Sequence, residues 1–164
     1  MTTSIKTSPK ERKLGFRVLF LAMFAIGTGQ TLFIAVLPPY ARGLGLSEVQ
    51  VGFIFSLSAL GWMMMSPFWG RKSDFIGRKS IIILGLLVYA FTTILMGLEF
   101  RLNELGYINL STLFGLLIFT RGCYGFLGSG AHSASMAYVA DRTNENERSG
   151  VMAVMGSAFA ISGI

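Results

Sequence analysis

Four runs of about 20 mainly apolar residues, followed by a shorter fifth run, constrain this chain more than any other feature. They lie near residues 17–39, 47–69, 80–99, 110–139 and 149–164. A helix needs about 20 apolar residues to cross the hydrocarbon core of a bilayer. Backbone polar groups in lipid must find partners within the chain, so runs of this length fold as helices. The pattern predicts an all-α, polytopic membrane helix bundle.

The composition supports lipid as the solvent. Hydrophobic residues make up 52% of the chain and charged residues 13%, whereas about 25% of the residues of a typical soluble domain are charged. The net charge of +6 also fits nucleic-acid binding, but Lys and Arg cluster at the ends of apolar runs and form no basic stripe. We therefore expect a lipid bilayer, and no nucleic acid, around the chain. The single cysteine, Cys123, is interpreted as a packing residue.

Residues 1–16 are polar and basic, and residues 17–164 carry the apolar runs. We predict an N-terminal tail followed by an incomplete transmembrane domain. The first apolar run is longer than a signal-peptide core, so it is expected to stay in the mature protein. The fifth run has about 16 residues, or roughly 24 Å of helix, against a hydrocarbon core of about 30 Å. We therefore expect the domain to continue beyond this sequence.

Prolines are expected to end the first two runs, because proline lacks an amide hydrogen and clashes with the preceding turn of a helix. Pro38 and Pro39 stand at the end of the first run. Pro67, together with Gly70, stands at the end of the second.

The positive charges are distributed unevenly between the two sides of the predicted bundle. Lys and Arg in short flanking segments are retained on the cytoplasmic side. Only Arg42 and Arg101 fall in the loops after the first and third runs. The N-terminus and the other loops contain Lys6, Lys10, Arg12, Lys13, Arg17, Arg71, Lys72, Arg78, Lys79, Arg142 and Arg148. The asymmetry predicts a cytoplasmic N-terminus.

The turn between the second and third runs combines Gly70, Asp74, Gly77, Arg78 and Lys79. The glycines permit tight backbone paths, and the aspartate can cap a helix or bind a helix N-terminus. The two cations can anchor the next helix at an anionic leaflet. Topology and capping alone therefore remain an alternative to a functional role for this turn.

Arg121 lies well inside the fourth run, where a charged group costs at least about 2.5 kcal/mol and usually faces a cavity or a partner. A guanidinium stays charged, so it can tune a carboxylate, bind an anion or hold polar groups in a cavity. Snorkelling is the alternative. Gly125 and Gly128 have a spacing that lets membrane helices approach. His132, about three turns further on, is expected to share the face of Arg121. It is a candidate to relay protons or to contact a substrate in the cavity, and the alternative is a bond to a neighbouring helix.

Gln30 belongs to a polar island in the first run and is a candidate residue of a substrate cavity. It is neutral, so it can bond a substrate but cannot exchange protons. No acidic residue occurs in that run. We find no metal-ligand cluster, no nucleophile with a placed base and no phosphate-binding loop, so no metal, cofactor or enzymatic activity is expected.

The turn after the second run resembles motif A of the major facilitator superfamily of transporters. The match covers Gly70, Asp74, Gly77, Arg78 and Lys79. The resemblance implies a cytoplasmic gate, in which the aspartate holds a helix of the C-terminal half and the arginine pairs with an acidic residue ending helix 4, here Asp141. Lys72 and Phe75 depart from the common pattern.

The fourth run resembles motif B, in which an arginine followed by glycines is associated with proton coupling; Arg121, Gly125 and Gly128 match it. The segment 137–148 is similar to the helix 4–helix 5 junction of tetracycline-type exporters. The resemblance implies helices 1 to 4 and part of 5 of a twelve-helix transporter in the plasma (inner) membrane, partnered by its missing C-terminal half.

The activity implied is export of a small organic molecule by alternating access, with proton/drug antiport as the leading mode. An importer or facilitator of a sugar, organic acid or siderophore-like solute is one alternative. A short noncatalytic membrane regulator or scaffold is another.

Overall fold

The computed structural model describes residues 9–162, which are helical apart from short connections. Six α-helices follow in order: α1 (Pro9–Gly43), α2 (Glu48–Ile76), α3 (Arg78–Glu104), α4 (Leu110–Cys123), α5 (Ser129–Asp141) and α6 (Glu145–Ile161). No strand occurs in the described range. The predicted all-α bundle is confirmed. Residues 1–8 of the predicted tail and 163–164 of the predicted fifth run lie outside that range.

A π-helical turn, Tyr124–Gly128, joins α4 to α5 without breaking the helical path, and we call it the π turn. Four helical segments are long and apolar enough to cross a membrane: α1 from Lys10, α2, α3, and α4 with the π turn and α5. Large apolar side chains such as Leu21, Phe91 and Ile94 are exposed on the outside of the bundle. Lipid is the natural solvent for that surface. The protein is an integral, multi-pass membrane protein.

The prolines do not end the helices as predicted. Pro38 and Pro39 lie inside α1, and Pro67 lies inside α2, which continues past Gly70. A membrane helix tolerates proline because neighbouring groups and local adjustments satisfy the freed carbonyls. The charged turn after the second run is therefore largely helical. Gly77 alone separates α2 from α3, and its φ of +101° favours glycine.

The bundle has two ends, each with its own apolar core. We call the end where α1 begins and α2 and α5 terminate the basic end, and the other the opposite end. The core near the basic end contains Leu19, Ile81, Ile82, Ala134, Val139 and Met155. The core near the opposite end contains Leu37, Ala41, Leu46, Val51, Ile54, Met96, Leu113 and Leu117. Across the bundle, α5 packs against α2 and α3, and α1 packs against α6.

Side chains satisfy the helix starts at the opposite end. Ser47 and Gln50 form a reciprocal capping box at the start of α2. The Asn109 side chain accepts a hydrogen bond of 2.8 Å from the backbone N–H of Thr112 at the start of α4. These caps hold the short connections and thereby set the alignment of α1 with α2 and of α3 with α4.

Candidate functional site

Arg121 lies inside the bundle and is only 6% exposed. Its Nη1 donates to Oε1 of Gln30 at 3.3 Å, and Nε2 of Gln30 donates to the Tyr124 hydroxyl at 2.9 Å. The guanidinium carbon lies 4.2 Å from the ring centroid of Phe33 and 5.0 Å from that of Tyr124. A single amide on α1 therefore links the charged residue of α4 to the first residue of the π turn. We call these four residues the arginine cluster.

The arginine cluster holds a charge without a counter-ion in the described part of the chain. None of the ion pairs there includes Arg121, and its Nε is buried without a hydrogen-bond partner in the same range. Cation–π contacts with Phe33 and Tyr124 offset part of the desolvation. A guanidinium held this way can bind an anion or respond to the charge of a nearby carboxylate.

The π turn results from close packing against α2. A Cβ on Gly125 would lie 2.4 Å from the Ser58 carbonyl oxygen, so the two backbones touch. Trp69 on α2 donates from Nε1 to the Phe126 carbonyl at 2.7 Å. A Cβ on Gly128 would lie 2.7 Å from the Tyr124 ring. Gly125 thus permits the close approach of two helices, whereas Gly128 makes room for the Tyr124 ring of the same π turn. Such π turns are frequent at functional sites.

His132 is separated from the arginine cluster by one ring, because Trp62 of α2 packs against both Tyr124 and His132. The prediction that it shares the face of Arg121 assumed 3.6 residues per turn, and the π turn between them changes that period. The His132 ring packs beside Trp62 of α2, with ring centroids 5.9 Å apart. Arg121 instead contacts Gln30 of α1.

At the basic end, Arg78 joins three helices. Its Nε donates to Oδ2 of Asp141 at 2.9 Å, and it forms a second ion pair with Asp74. Nη1 donates to the Gly70 carbonyl at 3.1 Å and to the Ser73 hydroxyl. The fork of a guanidinium can serve several acceptors at once. One side chain at the start of α3 therefore ties the end of α2 to the end of α5.

Other predicted features of this segment differ from the sequence expectation. Asp74 does not cap a helix: Gly77 is the N-cap of α3 and no side chain bonds to it. Gly70 lies within helix, with open space around its Cα, so no tight backbone path explains it. Lys79 is exposed.

A second link at the basic end was missed by the sequence analysis. Arg12 forms an ion pair of 2.7 Å with Glu147 and donates to the Arg142 carbonyl at 3.2 Å. The backbone N–H of Asn144 donates to Glu147 at 3.2 Å. That bond, followed by the bond from Arg12, lowers the pKa of Glu147 below its ordinary value. The Asn-x-x-Glu spacing of residues 144–147 is a capping-box signal that reveals the bond from Asn144.

The sequence analysis also missed a buried carboxyl group. Glu99 on α3 is 2% exposed, and the Thr120 hydroxyl on α4 donates to its Oε1. Oε2 is buried and has no hydrogen-bond partner within residues 9–162. Glu99 is the last residue of the predicted third apolar run, and α3 continues beyond it to Glu104.

Charged side chains buried among membrane-spanning helices usually mark substrate or ion pathways. The sequence model of the Major Facilitator Superfamily matches residues 19–164. The chain belongs to that family of transporters.

Relatives with assigned names support the same placement. The chain is 31% identical over 156 residues to Multidrug resistance protein 2 of Bacillus subtilis (strain 168), an alignment that covers 95% of this chain and 36% of the relative. It is 40% identical over 73 residues to Quinolone resistance protein NorA of Staphylococcus aureus, covering 44% of this chain and 19% of the relative. The chain thus spans about a third or less of the length of the relatives it matches.

Proposed function

We propose that the complete protein exports small organic molecules by alternating access and uses the inward flow of protons to drive export. The observation that carries this proposal is Arg121, buried in a membrane-spanning helix and held by Gln30 rather than by a carboxylate. A buried cation of this kind makes the protonation of any nearby carboxylate depend on the position of its helix. That dependence is what proton coupling requires.

The names of the relatives support drug-like substrates. The two relatives are named for multidrug resistance and quinolone resistance. We infer that Gln30 contributes to the substrate cavity; the position of its amide beside the charge of Arg121 and the Tyr124 hydroxyl supports this role. His132, on α5 beside Trp62, is a second candidate for the substrate cavity.

The basic end is proposed to be the cytoplasmic side of the plasma membrane, following the positive-inside distribution. There the Arg78 network acts as a gate: Arg78 with Asp141 and Asp74 holds α2, α3 and α5 together. Gly70, Gly77 and Lys79 belong to the same gate by family resemblance. By family resemblance, Asp74 also contacts a helix of the C-terminal half, which completes the transporter and rocks against this half.

Inside-out membrane vesicles from cells that express the complete gene test the proposal. With an imposed pH gradient, a fluorescent quinolone should accumulate in the vesicles, and a protonophore should abolish accumulation. Uptake that ignores the gradient would contradict proton coupling. Gradient-driven accumulation of a sugar or organic acid in right-side-out vesicles would indicate an importer instead. A stable membrane protein that transports nothing in either orientation would indicate a regulator or scaffold.

A further inference from the structure

Glu99 takes no part in the gate or in the arginine cluster, yet its carboxyl group is buried in the bundle. Its only hydrogen bond in the described range comes from the Thr120 hydroxyl, and Oε2 has no partner there. None of the ion pairs in that range includes Glu99. An ionised carboxylate buried inside a helix bundle needs a cation or a full set of hydrogen bonds. The residues that the structure describes supply neither to Glu99.

We propose that Glu99 is a proton-binding site of the transporter: it carries a proton in the arrangement seen here and releases that proton to water when α4 moves. The inference deepens the proposed function and rests on it. In the release step the O–H bond of Oε2 breaks and its electron pair stays on the carboxylate. The proton passes to a water molecule, and uptake is the reverse step. No redox partner or cofactor is involved.

Thr120 suits both protonation states of Glu99. With the proton on Oε2, the hydroxyl donates to the carbonyl oxygen Oε1; with the carboxylate ionised, the same hydroxyl donates to the same atom. Proton release therefore requires no new rotamer of Thr120. What it requires is water or a cation that can reach Oε2.

The position of Thr120 connects this site to the arginine cluster. Thr120 bonds to α3 and the next residue, Arg121, bonds to α1, so a movement of α4 alters both contacts. Several other charged and titratable groups on α3 and the elements packed against it have partners in the described range: Arg121 and Tyr124 with Gln30, Tyr89 with Tyr124, His132 beside Trp62, Tyr40 and Arg101 with Glu104, and Arg78 with Asp141. Lys79 on α3 and Arg71 and Lys72 on α2 are exposed near the basic end.

Infrared difference spectroscopy of the complete protein in lipid tests the protonation state. The spectrum of the wild type minus that of Glu99→Gln should contain the carbonyl band of a protonated carboxylic acid at neutral pH. The matched control Glu48→Gln removes an exposed carboxylate at the start of α2 and should leave that band in place. Thr120→Val removes the hydroxyl and should move the band to higher frequency, which assigns it even if Glu99→Gln does not fold.

Proton exchange is tested with the same samples. The band should weaken when the pH is raised and when a quinolone is added. In proteoliposomes, Glu99→Gln should lower quinolone-induced proton release roughly fivefold or more, a factor within the usual range of coupling between sites. Glu48→Gln should release protons like the wild type.

Two results would overturn the inference. The absence of the band at neutral pH would mean that Glu99 is ionised. A band that responds neither to pH nor to quinolone would make Glu99 a permanently protonated structural acid. Failure of the proposed function has a different signature: wild-type vesicles would show no gradient-driven uptake. In that case the pH response of the band would still decide whether Glu99 exchanges a proton.

Discussion

The contact between Gly125 and Ser58 predicts a large difference between two glycine substitutions on the same face of the molecule. A Cβ on Gly125 would lie 2.4 Å from the Ser58 carbonyl oxygen, 3.0 Å from its Cα and 3.1 Å from its carbonyl carbon. All three atoms are backbone, so no side chain can swing away. Reaching an ordinary contact of about 3.5 Å requires the π turn and α2 to separate by roughly 1 Å.

Gly122, three residues earlier, is the matched control. A Cβ there would meet only the Cδ2 atom of Leu57, at 3.7 Å, which is an ordinary contact with a flexible side chain. Both substitutions to alanine gain about 0.5–1 kcal/mol from lower backbone entropy in the unfolded chain, so that gain cancels in the comparison. What remains is the cost of overpacking at Gly125, about 1–3 kcal/mol.

Thermal unfolding in detergent, followed by size-exclusion chromatography of heated samples, measures this difference. Gly125→Ala should melt at least about 2 °C below Gly122→Ala, given a scale of roughly 2–4 °C per kcal/mol for chains of 150–250 residues. Equal midpoints for the two variants, or a higher midpoint for Gly125→Ala, would refute the close contact between the π turn and α2.

Three further predictions concern the arginine cluster and the basic end. Arg78→Lys should lower the transport rate roughly tenfold, the rate equivalent of about 1.5 kcal/mol for one lost hydrogen bond to a charged group, because an ammonium cannot bond Asp141 and the Gly70 carbonyl as a fork does. Gln30→Leu should lower both the transport rate and the thermal midpoint, because it removes the hydrogen-bond partner of a buried guanidinium. Glu147→Gln should lower the thermal midpoint at neutral pH but not in acid. The pKa of Glu147 is lowered in the folded state, so its stabilisation is present above the unfolded pKa of about 4.3 and is lost as the pH falls through the folded pKa.

Each of these predictions has a control or a contradicting result. Lys72→Gln removes an exposed cation near Arg78 and should transport normally. Exchanging the charges in Arg78→Asp with Asp141→Arg should restore part of the activity that either change removes. A Gln30→Leu protein with wild-type stability and transport would show that the bridge to Arg121 is dispensable. For Glu147→Gln, a melting difference from the wild type that persists unchanged in acid would contradict the ion pair with Arg12.

The apolar runs predicted the fold because lipid leaves a chain few alternatives to helices. The spacing of residues 70–79, read through the family resemblance, predicted the Arg78–Asp141 ion pair that the structure contains. The gating role of this ion pair stays a prediction until transport is measured. The predicted helix ends at Pro38 and Pro67 were wrong. The helix-breaking tendency of proline is derived from isolated helices and does not hold in a membrane bundle, where neighbouring groups can satisfy the carbonyls that proline frees.

The contacts inside the bundle could not be predicted from the sequence, for a different reason. The Gln30–Arg121 bond joins residues on α1 and α4, and no local pattern states which helices are neighbours. The π turn packs on α2 through Gly125 beside Ser58 and through the Trp69 hydrogen bond. Because the π turn was not foreseen, the contact of His132 with Trp62 was not predicted either. Glu99 was overlooked because a carboxylate at the end of an apolar run usually marks the membrane surface.

Proton release by the complete protein in proteoliposomes, with and without Arg121→Lys, tests the central claim most directly. Adding a quinolone to the wild type should release protons in step with drug movement. Arg121→Lys keeps a positive charge but loses the guanidinium that bonds Gln30 and lies over Phe33, so it should lose most of that release. Proton release by Arg121→Lys equal to that of the wild type would contradict the account, because the buried arginine would then have no part in coupling.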